Sequence, residues 1–197
     1  MPYYFRLPVI TDLTIEQQAA LNEPRAIAVN GSPGTGKSVV CLWRHIQNHS
    51  MQRRKSLLLT YTKSLEKYLK SSALDENKEA ANHVNRTYWW TYHFGNNVYE
   101  EIIIDEAQDV EESKYNKIRN LTPMVSYSAD DNQSVFINKG TSEAELRNLF
   151  QNNILYTLQE NFRNTKEIVQ FVKSLFPTRI INSGITQGPK PTLFTTG

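Results

Sequence analysis

"VNGSPGTGKSVV", residues 29–40, decides how the rest of the chain is read. Gly31, Gly36, Lys37 and Ser38 stand at the fixed places of the pattern G-x-x-x-x-G-K followed by Ser or Thr. A short apolar run, "AIAV" (26–29), precedes it. An amphipathic stretch, "KSVVCLWRHIQ" (37–47), follows, with Val39, Leu42, Trp43 and Ile46 on one helical stripe. Strand, glycine-rich loop and helix in that order form the context in which this pattern cradles phosphate. Glycines let backbone N–H groups converge on phosphate oxygens, and the helix N-terminus adds its positive end. Gly31, Ser32, Pro33, Gly34, Thr35 and Gly36 are therefore expected to wrap a nucleotide's phosphates. Lys37 is expected to reach the terminal phosphates and the Ser38 hydroxyl to ligate Mg²⁺.

A phosphate loop of this kind needs an acidic site at the tip of a neighbouring strand. "EIIIDEAQDV" (101–110) supplies one: three isoleucines run into Asp105 and Glu106. Asp105 can hold the Mg²⁺ shell, and Glu106 sits where a carboxylate can polarise an attacking water. Without the glycine-rich loop, "DEAQDVEE" would read as a solvated acidic turn after a strand.

Further out, strand-like and helix-like segments alternate. "SLLLT" (56–60), "EIIID" (101–105), "MVSYS" (124–128) and "ILYTL" (154–158) are short apolar runs of the kind buried on both faces of a sheet. "SEAELRNLF" (142–150) opens with a capping box, Ser142 with Glu145. "NTKEIVQFVKSLF" (164–176) repeats Ile168, Val169, Phe171, Val172, Leu175 and Phe176 at helical spacing behind Asn164 as an expected cap. The pattern predicts an α/β fold: a three-layer P-loop NTPase with a mostly parallel central sheet flanked by helices. Residues 1–181 are expected to form that domain, and 182–197, rich in Gly, Pro and Thr, a linker, a loose tail or the start of a further domain.

Composition agrees with an ordinary globular domain. The chain has 197 residues, 39% of them hydrophobic, with 22 Lys and Arg against 20 Asp and Glu. A net charge of +2 excludes a histone-like binder and leaves room for a local nucleic-acid groove. One cysteine, Cys41, excludes an internal disulfide framework and is expected to be a buried, inert thiol. No apolar run is long enough to span a bilayer, and no signal-peptide pattern opens the chain, so no membrane partner and a cytoplasmic location are expected. His45 and His49 lie four apart on one helix without an evident third ligand, and are expected to be structural. "MQRRKS" (51–56) reads as a solvated basic loop or a phosphate contact.

"DEAQD" after an apolar strand, with the phosphate loop upstream, resembles the UvrD/Rep branch of superfamily 1 helicases. "LTIEQQAAL" (13–21) is similar to that family's Q motif, "LLLTYTKSL" (57–65) to motif Ia, "SADDNQSVF" (128–136) to motif III and "LQENFRNTKEIVQFV" (158–172) to motif IV. The set falls in family order and covers roughly residues 12–176, nearly all of a first RecA-like domain. The resemblance implies an ATP-dependent DNA helicase with ATP and Mg²⁺ as ligands. It implies that Gln17 reads the adenine edge, although Thr14 and Gln17 also match a capping box. Gln108 and Gln133 would sense the γ-phosphate, and Arg163 would stabilise charge on it. For single-stranded DNA it implies Thr60, Tyr61, Thr62, Thr87 and Phe136, with "TYHF" (91–94) as an alternative register for Thr87. Trp89 and Trp90 read as core or interface packing, or as base stackers.

The chain departs from the family at Ala129, where Gly is usual, and at Asn138 and Lys139, where an aromatic and an Arg are usual. The stretch from Tyr61 to Tyr99 leaves room for about two short helices in place of an inserted domain. The motifs of a second RecA-like half, including its arginine, are not found, and such an arginine is worth about 10³–10⁵ in rate. The expectation is a first motor domain that binds ATP–Mg²⁺, turns it over poorly alone, and needs a second RecA-like domain in the same parent chain or in a partner protein. The rival expectation is a nucleotide-gated interaction module that signals to a partner without translocation.

Overall fold

The computed structural model describes residues 7–93, 97–134, 139–178 and 181–192. Six strands form one sheet: β1 (Ile27–Gly31), β2 (Ser56–Thr60), β3 (Val84–Arg86), β4 (Glu101–Ile104), β5 (Val125–Ser128) and β6 (Ile154–Leu158). Their spatial order is β3-β2-β4-β5-β1-β6, and every pairing is parallel. Among the described residues eight α-helices connect and cover them: α1 (Ile15–Asn22), α2 (Lys37–Ser50), α3 (Lys63–Glu76), α4 (Lys78–Asn82), α5 (Thr87–His93), α6 (Glu112–Arg119), α7 (Glu143–Leu149) and α8 (Lys166–Leu175).

Side chains alternate across a strand, so each apolar run feeds two cores. Val29, Leu58 and Ile103 join Val40, Ile46 and Leu69 on one face. Ala28, Leu57, Leu59, Ile102 and Ile104 join Tyr115, Ile118 and Leu146 on the other. Both faces are covered, which is why these strands carry no polar alternation. The three-layer parallel α/β fold expected from the sequence is the fold observed.

Four local expectations differ. β3, "VNR", is too short and polar to register as a strand, and pairs with β2 as the sheet edge. Between Tyr61 and Tyr99 lie three helices and that strand, not two helices. At the opposite edge β6 is covered on one side only, so Leu155 is 40% exposed. The cap of α8 is Thr165, whose hydroxyl accepts from the Ile168 N–H, while the Asn164 N–H donates to Asn161 Oδ1. Residues 182–188 make backbone hydrogen bonds to the domain. The Asn182 N–H donates to Ser32 Oγ at 3.0 Å, and the Gly188 N–H to a Glu167 carboxylate oxygen at 2.7 Å.

A candidate nucleotide site and its nucleic-acid edge

The site sits at the carboxyl ends of the central strands, where parallel α/β sheets place their ligand crevices. The loop after β1 turns through Gly34 and Gly36, both near φ +87° (86° and 88°). A Cβ at Gly36 would come within 2.5 Å of Gln17 Nε2, and one at Gly34 within 2.5 Å of Asn161 Oδ1. Only glycine fits the backbone angle and the close approach together. The loop then opens α2, with Lys37 as its first residue.

Lys37 is buried. Its Nζ donates to the Gly31 carbonyl at 2.7 Å and to Asp130 Oδ2 at 3.2 Å. Asp130 also accepts from Gln133 Nε2 at 2.6 Å, and its N–H donates to Gln108 Oε1 at 3.2 Å. Gln108 Nε2 in turn donates to Glu106 Oε2 at 2.8 Å. Asp130 thus joins the loop lysine to the residues expected to sense and attack phosphate. It lay inside the "SADDNQSVF" motif, but adjacent identical acids give no sequence signal for which one turns inward.

The register of β4 against β5 brings the next residues together, so that Ser128 Oγ donates to Asp105 Oδ1 at 2.6 Å. Asp105 is fully buried, and its Oδ2 has no hydrogen-bond partner among the described residues. Burial, and then the charge of Glu106, push its pKa from 3.8 up to about 6, against the lowering pull of Ser128, Ser38 and Lys37. Glu106 adopts left-handed backbone, φ 57° and ψ 47°, an unusual conformation for a side chain with a Cβ. This turns its carboxylate towards the loop. Lys37, Ser38, Glu106, Gln133, Arg163 and Tyr68 line one cavity of about 260 Å³. Tyr68, from α3, carried no sequence signal for this role. Arg163 is positioned because the Phe162 N–H donates to the Gly34 carbonyl and the Arg163 N–H to Asn161 Oδ1.

Beside it lies an apolar cavity of about 510 Å³, bounded by Leu13, Gln17, Val39 and Phe162. Gln17 Oε1 accepts from the Thr14 N–H at 2.9 Å, completing a capping box, and Nε2 donates to the Thr35 carbonyl at 3.0 Å. Both arms of this amide are engaged within the protein. Ser32 and Thr35 are buried in the loop, Thr35 Oγ1 donating to the Ser32 carbonyl, and Pro33 is partly buried beside them.

The residues expected on the nucleic-acid edge do not share one environment. Thr60 and Thr87 are buried, and Thr87 Oγ1 donates to the Thr60 carbonyl at 3.3 Å. Tyr61 is half-buried and Thr62 exposed, the latter accepting from the Leu65 N–H as the cap of α3. Phe136 and Asn138 lie outside the described residues, as does Phe94 of the alternative register.

The other constellations resolve into structure. His45 is hydrogen-bonded to Ser56 Oγ and the Ala80 carbonyl, and burial lowers its pKa to about 3. Cys41 is buried, which pushes its thiol pKa well up. Arg54, in the basic loop, pairs with Glu101. Among the described residues no group of His, Cys, Asp and Glu forms a metal cluster by itself, and no helix is long and apolar enough to cross a membrane.

A family model described as Schlafen group 3, DNA/RNA helicase domain, matches residues 24–185. Among solved structures the chain is similar to Pif1 helicase from Candida albicans, at 19% identity and a TM-score of 0.53, over 83% of this chain and 43% of that one. It is similar to an arterivirus nonstructural protein 10 helicase in complex with DNA, at 13% identity and a TM-score of 0.53, over 85% and 43%. A third is the PRRSV helicase, at 12% identity and a TM-score of 0.51, over 88% and 38%. The chain spans less than half the length of each, and at these identities the likeness is one of fold. No curated protein matches in sequence. The helicase-domain reading holds, whereas the narrower UvrD/Rep assignment does not follow from these matches.

Proposed function

This chain belongs to the Schlafen group 3 DNA/RNA helicase-domain family, and from that premise we propose that it is the ATP-binding motor domain of a helicase or translocase acting on single-stranded nucleic acid. The observation that carries the reading is the convergence of Lys37, Ser38, Glu106, Gln133 and Arg163 on one cavity at the strand ends.

ATP phosphates would lie on the N–H groups of residues 31–38, with Lys37 exchanging Asp130 for a phosphate oxygen. Ser38 and Asp105 would hold Mg²⁺. The fit rests on the unpartnered, buried Oδ2 of Asp105, an oxygen donor of the hard kind that this cation takes. When bound, Mg²⁺ would neutralise charge on the phosphates. Glu106 would take a proton from the attacking water, Gln133 would track the γ-phosphate through Asp130, and Arg163 would stabilise the charge developing there. The apolar cavity beside Gln17 would receive the base. Gln17 would have to release the Thr14 or Thr35 backbone to read its edge.

We assign the completion of this site to a second RecA-like domain. The outer side of α8 supports this: Ile168, Leu175 and Phe176 are 40%, 52% and 54% exposed, an apolar stripe with nothing over it among the described residues. The expected result is ATP–Mg²⁺ binding with little hydrolysis by the chain alone. Calorimetry and a steady-state hydrolysis assay, with and without single-stranded DNA, check both halves, beside Lys37→Ala and Glu106→Gln. Binding lost in Lys37→Ala and kept in Glu106→Gln supports the site. A wild-type chain that binds no nucleotide refutes it, and robust DNA-stimulated turnover refutes the incompleteness.

A further inference from the structure

α5 begins at the carboxyl end of the edge strand β3, the same end of the sheet as the phosphate loop. It has seven residues, and it divides its aromatic rings between two environments. Trp90 is 3% exposed and packs edge-on to Tyr99. Tyr88, Trp89 and Tyr92 are 63%, 45% and 56% exposed, and His93 is exposed beside them. Positions 88, 89, 92 and 93 are i, i+1, i+4 and i+5, one face of a helix. Four rings on one exposed face are not explained by packing: burying them would gain free energy, and isolated soluble surfaces seldom leave such groups together.

The rings are ordered by their neighbours. Trp89 and His93 stack at 4.8 Å with an interplanar angle of 18°. Lys114 Nζ lies 4.9 Å from the Tyr88 centroid and 4.3 Å from that of Tyr92, and donates to the Tyr92 hydroxyl at 3.1 Å. Lys117 Nζ lies 5.1 Å from the Tyr92 ring. The Lys114 side chain is itself buried, so a fixed positive charge lies beneath a layer of rings whose other side meets solvent. Glu111 is the acidic group whose charge reaches both Tyr92 and Tyr61. Near it a base is favoured over a phosphate.

We infer that the exposed α5 face of Tyr88, Trp89, Tyr92 and His93, underlaid by Lys114 and Lys117, is a base-stacking platform for single-stranded nucleic acid. Flat rings accept any base, and cations under them favour an anionic strand above, which is the combination that sequence-tolerant single-strand binders use. The placement also answers the burial of Thr60 and Thr87. Those hydroxyls are not exposed, whereas the helix that Thr87 opens carries its rings outward from the same strand end. The inference rests on the nucleic-acid half of the proposed function and names the surface that performs it.

The test is fluorescence anisotropy of a labelled oligothymidylate against the 197-residue chain. Three proteins are compared: the wild type, a Tyr88→Ser/Trp89→Ser/Tyr92→Ser variant, and a Tyr61→Ala/Thr62→Ala variant. Circular dichroism and ATP binding confirm that each is folded. The expected result is binding about tenfold or more weaker in the triple variant. Trp43 and Trp90 are buried, so the oligonucleotide should quench indole emission through Trp89, and the quenching should vanish in Trp89→Leu. If the triple variant binds within about twofold of wild type while Tyr61→Ala/Thr62→Ala weakens binding, the α5 face lies off the strand's path; the inference falls and the nucleic-acid reading stands. If the wild type binds no oligonucleotide, both fall. A concentration-dependent dimer that the triple variant abolishes assigns the face to a second copy of the chain and overturns the inference.

Discussion

Two residues show how burial sets charge in this molecule. His45 is enclosed, accepts or donates at both ring nitrogens, and stays neutral because burial lowers its pKa from 6.5 to about 3. The unfolded chain binds a proton there below about pH 6.5 and the folded chain does not, so this contribution to stability is present above 6.5 and lost as pH falls towards 3. The expected outcome is a melting temperature that declines from pH 7 to 5, and declines less in His45→Gln, by differential scanning calorimetry. Asp105 has the opposite sign. Its pKa is raised from 3.8 to about 6, so the fold prefers it protonated, and stability erodes as pH rises through that interval. Without Mg²⁺ at pH 8, Asp105→Asn should melt about 3 °C higher, as ~1 kcal/mol does at this chain length. At pH 4 the two proteins should melt together. An Asp105→Asn variant that melts no higher at pH 8 would show that burial does not hold this carboxyl above its ordinary range.

At the scale of elements, apolar runs and caps were legible where neighbours did not intervene. β2 and β6 begin and end where "SLLLT" and "ILYTL" do, and Ser142 with Glu145 forms the capping box its spacing implied. β3 was not legible, because three residues with two polar side chains become a strand only by pairing with β2. α1 carries both meanings of Gln17. Gln17→Ala removes the acceptor for the Thr14 N–H and the donor to Thr35, and should cost about 1 kcal/mol in urea unfolding. Thr14→Ala should cost a similar amount. If Gln17 also reads adenine, only its own substitution should erase the preference for ATP over GTP; equal preference in both variants would leave the cap as its whole role.

Across the whole molecule, one buried charge ties the layers together. Glu101, at the start of β4, accepts from Arg44 Nε at 2.7 Å, Ser126 Oγ at 2.5 Å and Asn48 Nδ2 at 2.8 Å. Arg44 reaches on to the carbonyls of Ala20, Glu23 and Arg25, at the end of α1 and the entry to β1. Removing Arg44 leaves the buried Glu101 carboxylate with only the longer Arg54 pair at 3.6 Å, so Arg44→Leu should destabilise by about 3 kcal/mol in chemical denaturation. Adding Glu101→Gln should restore part of that loss; no restoration would mean that the lost carbonyl contacts, not the stranded carboxylate, carry the cost. Nothing in "CLWRHIQ" or "EIIID" marks these two side chains as partners, since they lie 57 residues apart.

The sequence alone determined the layered parallel fold and the glycine-rich loop between β1 and α2. Both follow from local rules: apolar runs of strand length, helical stripes, and a glycine pattern whose backbone angles few other residues tolerate. Tertiary structure alone decided which acid of "SADD" meets Lys37, that Thr60 and Thr87 turn inward, and that Trp90 is buried while Trp89 faces solvent. Those outcomes depend on strand register and on which neighbouring element covers a given face, and both are set by contacts between segments distant in sequence.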